Sequence, residues 1–286
     1  MSMSWQLLIL LSVILASVSS IFQRLLMKDQ DNDPIVASVL LQIISGIIIA
    51  LAGLFQGLLN MDQDYQSVAA NIILMVLLYS SGGITMFLAF QRMNPSRFAI
   101  IFASRAIFTL IFSSLLLQES LTGNNFLGLI LILVSIIMLN YVKGTWKFSK
   151  GDIFAFYTAF AFGTSNTNDR FLLATIDTYP YMVIGFLLPA LVNLLIFRKR
   201  FLPLKSFVNQ HYLTKMLVLC VIYAGSAIFF FLALQKTDNS SQLASLNLLN
   251  GVITVMLSIW IFKEKDRLGV KILAAGISLV GLMLIA

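Results

Sequence analysis

The sequence predicts an all-α, polytopic membrane protein with ten transmembrane helices in two inverted five-helix repeats. Three observations lead there. Apolar residues come in long runs, basic residues fall on alternate connections between the runs, and the second half of the chain repeats the first.

Hydrophobic residues make up 59% of the chain and charged ones only 11%, whereas soluble domains carry roughly 25% charged residues. The apolar residues are gathered into runs near the length of about 20 residues that crosses a hydrocarbon core of roughly 30 Å. These runs lack the polar stripe of a water-facing helix. The expected spans are 5–27, 34–58, 68–91, 96–118, 123–142, 152–174, 180–197, 212–235, 239–262 and 267–286. The first is too long for a signal-peptide core and has no basic residue ahead of it, so it is read as retained structure. Asn94-Pro95-Ser96 and Asp238-Asn239-Ser240 supply turns for tight junctions after the third and eighth spans. A membrane barrel would instead alternate polar and apolar residues over roughly ten positions.

Orientation follows from the lysines and arginines. The odd connections and their helix ends hold Arg24, Lys28, Arg92, Arg97, Lys143, Lys147, Lys150, Arg198, Lys199, Arg200, Lys205, Lys215, Lys263, Lys265, Arg267 and Lys271, which is 16 of the 19 basic residues. The even connections hold Lys236 alone, beside Asp62, Asp64, Asp177 and Asp238. The odd loops are therefore expected in the cytoplasm and both termini outside, in a cell membrane. The net charge of +7 then reflects topology, and no nucleic-acid reading element accompanies it.

The repeat is visible residue by residue. Phe87-Leu88-Ala89-Phe90-Gln91 matches Phe231-Leu232-Ala233-Leu234-Gln235 at a separation of 144, as does Tyr79 with Tyr223. Ala99, Thr109, Ser113 and Glu119 match Ala244, Thr254, Ser258 and Glu264 at 145, and Arg24-Leu25-Leu26 pairs with Arg170-Phe171-Leu172 at 146. Common order and nearly constant spacing argue for duplication. Five spans is an odd number, so direct fusion inverts the second unit. The units are 1–146 and 147–286. Inverted repeats let each half adopt either of two related conformations, whose exchange opens a central site to opposite sides.

With these matches, the chain resembles the drug/metabolite transporter superfamily, specifically its ten-span EamA-type members. The resemblance is carried by Ala89-Phe90-Gln91-Arg92-Met93-Asn94-Pro95-Ser96 and Ala233-Leu234-Gln235-Lys236-Thr237-Asp238-Asn239-Ser240. Each precedes a helix ending in an acidic residue, Leu115-Leu116-Leu117-Gln118-Glu119 and Trp260-Ile261-Phe262-Lys263-Glu264. The resemblance implies a basket of helices 1–4 and 6–9 around a central cavity, with the fifth and tenth in peripheral packing or dimer contacts. Members move amino acids, other small metabolites or drugs. Many have a proline where this chain shows Asn239 or Ser240. The glycine spacing after the acidic residue fits Gly128, but falls near Leu273 in the second half.

Polar groups inside the spans need a reason. Arg105 sits near the middle of the fourth span, too deep for easy snorkelling. It either binds a substrate carboxylate or phosphate, or anchors neighbouring carbonyls or a gate. Its repeat counterpart is Asn250. Ser104, Asn247, Asn250 and Gln42 are candidate solute contacts, with interhelical hydrogen bonding as the alternative. Asn247 and Asn250 share one helix face. Tyr79 and Tyr223 offer an apolar wall with a hydroxyl, or ordinary packing. Arg24 and Arg170, at equivalent places near span ends, are candidates for gating, and Asp169 is the best protonatable group within a span. Glu119 and Glu264 are terminal candidates for the same roles.

Other chemistries lack their parts. There is no phosphate loop for ATP. One cysteine, Cys220, and one histidine, His211, leave no metal cluster, disulfide or Ser/His/Asp constellation. The expectation is a secondary transporter, not an enzyme and without cofactor or metal, for a small carboxylated amphipathic solute such as an amino acid. It works by alternating access, with export favoured. The alternatives are a channel-like facilitator or a non-transporting membrane assembly module. Partners are the solute, membrane lipids and, at most, a second copy in a homodimer; no nucleic acid is expected.

Overall fold

The computed structural model describes residues 4–28, 32–117, 122–142, 145–146, 148–201, 210–236, 246–247, 249–264 and 267–285. Its helices are α1 (Trp5–Met27), α2 (Pro34–Phe55), α3 (Ala69–Arg92), α4 (Pro95–Phe102), α5 (Arg105–Leu117), α6 (Gly123–Asn140), α7 (Lys150–Thr175), α8 (Thr178–Ile196), α9 (Gln210–Lys236), α10 (Leu249–Phe262) and α11 (Leu268–Ile285). A two-residue hairpin ladder, β1 (Tyr141–Val142) with β2 (Thr145–Trp146), follows α6. A 3₁₀ turn, Arg198–Phe201, follows α8.

The protein is all-α and largely membrane-spanning. Among the described residues, seven helical segments are long and apolar enough to cross a membrane. Gly123–Leu139 and Leu249–Phe262 are apolar but shorter. The 26-residue α7 is long enough, but Ser165-Asn166-Thr167-Asn168-Asp169-Arg170 makes it too polar for that criterion.

One expected span departs from a continuous helix. The fourth splits into α4 and α5 at Ala103 and Ser104. There the bonding tightens to a 3₁₀ pattern, with Ser104 N to Ile101 O at 3.0 Å, Ala106 N to Ala103 O at 3.1 Å and Ile107 N to Ser104 O at 2.9 Å. The Ser104 hydroxyl also donates to Ile101 O at 2.7 Å, a local bond that competes with the helix ladder.

The bundle is apolar outside, and polar side chains are threaded through its largely apolar interior. Trp260 is 77% exposed and Leu195 73%, as expected of a surface facing lipid. Ser12, Ser17, Ser45, Thr158, Ser165 and Thr167 are buried. Their hydroxyls join helices: Ser12 donates to Ser226 O at 2.8 Å and Ser226 to Ser12 O at 2.9 Å, tying α1 to α9. Thr85 and Thr158 join α3 to α7 at 2.9 Å, and Ser45 joins α2 to Cys220 O on α9 at 3.2 Å. In these pairs, small hydroxylated residues allow close approach while satisfying their own donors.

The helices pair in a regular way: α3 lies along α7, α1 along α9, α6 along α11, and α2 along α8. The α6–α11 crossing is a close backbone approach. A Cβ on Gly281 would lie 2.8 Å from Gly128 O and 3.0 Å from Leu131 Cβ, and one on Gly128 would collide with Gly281 O.

The face that carries the odd loops is fastened by charge. Arg97 meets Asp152 in a bidentate pair at 2.6 and 2.8 Å, joining α4 to α7. Arg24 donates to Phe90 O at 2.6 Å and Gln91 O at 3.0 Å, capping α3. Past α10, Lys263 adopts a positive φ of 51° and Glu264 N bonds Ile259 O at 3.2 Å, a Schellman closure. That turn aims the buried Glu264 carboxylate at Ser96 (2.6 Å), Ser258 and Lys271, so it links α4, α10 and α11. Burial opposes its ionisation, but hydrogen bonds from Lys271, Ser258 and Ser96 outweigh this and hold the carboxyl below its usual range.

Two outcomes follow. Gly281→Leu should destabilise the bundle by roughly 1–3 kcal/mol through overpacking, seen as a lower melting temperature in detergent. Gly276→Leu, where a Cβ meets nothing within 4 Å, should be near neutral. Because the folded carboxyl is lowered, the Glu264 contribution is complete above the unfolded-state carboxylate pKa and is lost as pH falls through the lowered value. Glu264→Gln should therefore melt earlier at neutral pH, by about 3 kcal/mol for a broken buried pair, and should show a flatter loss of stability in acid. Equal melting of both forms at neutral pH would remove the staple.

Candidate functional site

The broken fourth span positions the central cation. At the break, α5 leans on α7 where glycine removes the side chain: a Cβ on Gly163 would collide with Arg105 O. Thr109 donates to Gly163 O at 2.8 Å and Thr167 to Thr109 O at 3.3 Å, fastening the same crossing. With its backbone held against α7, Arg105 is half-buried, and its guanidinium lies 4.9 Å from the Phe102 ring centroid. Among the described residues it makes no hydrogen bond or ion pair. A cation–π contact contributes only about 1–2 kcal/mol, less than full solvation of the charge requires.

From Arg105 an aromatic wall runs to a buried carboxylate. Phe102 meets Phe162 edge-on at 6.0 Å, and Phe162 meets Tyr79 at 5.4 Å. The Tyr79 hydroxyl donates to Asp169 Oδ2 at 2.6 Å and lies 3.4 Å from the Tyr181 hydroxyl. Ser165 donates to Asp169 Oδ1 at 3.1 Å from one turn earlier on α7. Gln42 Nε2 donates to Tyr79 O at 3.2 Å, while Gln42 Oε1 is buried without a partner among the described residues. The structure thus brings Gln42, Tyr79 and Asp169 together from three helices.

The other sequence candidates sit elsewhere. Tyr223 packs edge-on against Phe186 at 5.9 Å, and its hydroxyl has no hydrogen bond among the described residues. Asn250 Oδ1 accepts from Ser17 at 2.9 Å and Thr254 at 3.2 Å, so half of its amide is engaged between α1 and α10. Asn247 is half-buried and Ser104 is fully buried at the break. Arg24 caps α3 and lies in the field of Glu264. Asn166 and Arg170 are exposed, four residues apart on α7. Glu119 lies outside the described residues.

Tyr181 was absent from the sequence candidates. It falls early in α8, has no tyrosine at its repeat position, and reads like one more interfacial aromatic. Phe102 and Phe162 were hidden among 23 phenylalanines. Gly163 carried no signal until α5 was seen to cross it.

No curated protein sequence matches the chain. A solved structure, described only as the crystal structure of a protein, is similar in fold at a TM-score of 0.64 and 16% identity, with 98% of this chain and 95% of that one covered. The model of the EamA-like transporter family matches twice, over residues 3–141 and 149–286. These two matches take in nearly the whole helical bundle, so the chain belongs to the EamA-like transporter family of the drug/metabolite transporter superfamily, as a multi-pass membrane carrier of small molecules and not an enzyme.

Proposed function

We propose that the protein moves a small carboxylated amphipathic solute, such as an amino acid, by alternating access around Arg105. The observation that carries this reading is the guanidinium itself: central in its span, half-buried, backed by Phe102, and without an anionic partner among the described residues. A solute carboxylate completes that charge, and the Phe102–Phe162–Tyr79 wall suits the solute's apolar part.

Ten spans in two inverted repeats, 1–146 and 147–286, supply the mechanism. The family match falls in two segments of nearly equal length, and the helix pairs follow the repeat. The α3–α7 pair has its counterpart in α9–α1, while α2–α8 and α6–α11 each pair equivalent spans. Rocking one half against the other exchanges the side to which the site opens. In the conformation described, Arg97–Asp152, Arg24 on α3 and the Glu264 staple close the odd-loop face. Asn166 and Arg170 stand exposed toward the opposite face. We read this as the state open to the outside, with odd loops cytoplasmic, both termini extracytoplasmic, and the two fastened arginines and Glu264 as the inner gate.

In liposomes carrying the purified protein, uptake should be measured for leucine, phenylalanine, glutamate and benzoate. Arg105→Ala should reduce uptake of the transported carboxylates by about 10–100-fold, the loss of one charged hydrogen-bonding group of roughly 1.5–3 kcal/mol. Folded yield should hold, since the side chain fastens no helix. Transport unchanged in that variant would remove Arg105 from the site, and ungated conductance would favour a channel. For orientation, cysteines introduced at Asp64 and Lys147 separate the topologies. An impermeant reagent on intact cells should label the first and spare the second; the reverse pattern inverts the protein.

A further inference from the structure

Three buried carboxylates are described in the bundle: Asp152, Asp169 and Glu264. Asp152 is paired with Arg97, and Glu264 with Lys271. Asp169 differs, because among the described residues its side-chain hydrogen-bond partners are neutral hydroxyls, Tyr79 on α3 and Ser165 on α7, with the Tyr181 hydroxyl on α8 lying 3.4 Å from that of Tyr79. The distinction is chemical. A cationic partner holds a carboxylate ionised, whereas a hydroxyl both donates and accepts. Facing an ionised Asp169, the hydroxyls donate to it. Facing the neutral acid, one can turn to accept its proton. The cluster stays hydrogen-bonded in both protonation states, which a fixed structural pair does not achieve.

Other charges stand off from it. On α3, Tyr79 is the titratable group facing it, and on α8 it is Tyr181. Asp177, at the start of α8, is exposed and bonded by Gln63. On α5, the Arg105 guanidinium lies beyond the Phe102–Phe162 wall, and Arg170, next along α7, is exposed. The position 146 residues earlier is Gln23, 1% exposed with Oε1 unpartnered. The equivalent position is thus buried and polar but cannot titrate.

We propose that Asp169 is the proton-binding site that drives transport, one proton entering with each anionic solute. In the loading step a proton passes from water to one Asp169 carboxylate oxygen, and in the release step it returns to water on the other side. No other bond is made or broken beyond hydrogen bonds, and no electron moves. Loading removes a negative charge from the wall that an anion at Arg105 would meet, so proton and solute favour each other's binding, reciprocally. It also changes what Tyr79 is bonded to, and Tyr79 reaches Arg105 through Phe162 and Phe102. The coupling to an anion rests on the reading of Arg105 given above; the proton site itself rests on the cluster.

Two measurements test it. Full-length protein in nanodiscs, acidified from about pH 8 to 5, should show a protonated-carboxyl infrared band that Asp169→Asn lacks. Identical spectra would overturn the assignment, whatever the solute. In liposomes clamped at zero potential, a one-unit gradient, acid outside, should drive about tenfold accumulation of a transported carboxylate from the panel above, equivalent to about 1.4 kcal/mol. Asp169→Asn should still exchange labelled for unlabelled solute but accumulate none, and Asp169→Glu should restore part of the accumulation. Accumulation in Asp169→Asn equal to wild type, or accumulation driven only by acid inside, would overturn proton cotransport. Arg105→Ala losing exchange while keeping the infrared band separates failure of the solute site from failure of the proton site.

Discussion

Hydrocarbon offers no hydrogen bonds, so each polar group these helices carry must find a partner within the bundle or face a wet cavity. This constraint orders the interior. Hydroxyls of Ser12, Ser45, Ser226 and Thr85 reach carbonyls or hydroxyls of neighbouring helices. Carboxylates at the odd-loop face are answered by Arg97 and Lys271. Among the described residues, the groups not met in this way include the Arg105 guanidinium, the Gln42 and Gln23 carboxamide oxygens, and a carboxylate answered by hydroxyls in place of a cation. Arg105 and Asp169 are linked by the rings of Phe102, Phe162 and Tyr79, and Gln42 meets the Tyr79 backbone.

Much of the frame was legible because the same constraint shapes sequence. Uninterrupted apolar runs located α1 to the residue, Trp5–Met27, and α2, α3, α8, α9 and α11 within a few residues at most ends. Arg105 was legible as a charge where none should lie without reason. Tyr79 and Asp169 were each noticed, but as separate candidates with separate roles. Their meeting depends on α3 lying along α7, which no local pattern states.

The break in the fourth span was not legible. Ala103 and Ser104 are compatible with a continuous helix, and no proline or glycine marks the place. The break comes from packing: Gly163 lets the Arg105 carbonyl approach α7, and Ser104 turns its hydroxyl back on Ile101. Likewise, Glu264 looked like a helix-terminal acid. Its part in joining α4, α10 and α11 rests on the positive φ at Lys263, a backbone conformation rare for lysine and unmarked by any glycine.

The two crossings at the centre differ in a way that bears on energetics. Where α7 meets α5, Gly163 faces a bare carbonyl of Arg105, with no side chain of its own between them. Where α1 meets α10, Ser17 grips both the carbonyl and the amide oxygen of Asn250. If the proposed halves exchange shapes, each crossing must pass through the other's geometry with different chemistry. A glycine contact can slide at little cost, whereas the serine–asparagine clasp must be remade. The two facing states would then differ in free energy even with nothing bound. An empty carrier of this kind would rest unevenly between them, and a solute would act first by redistributing that population.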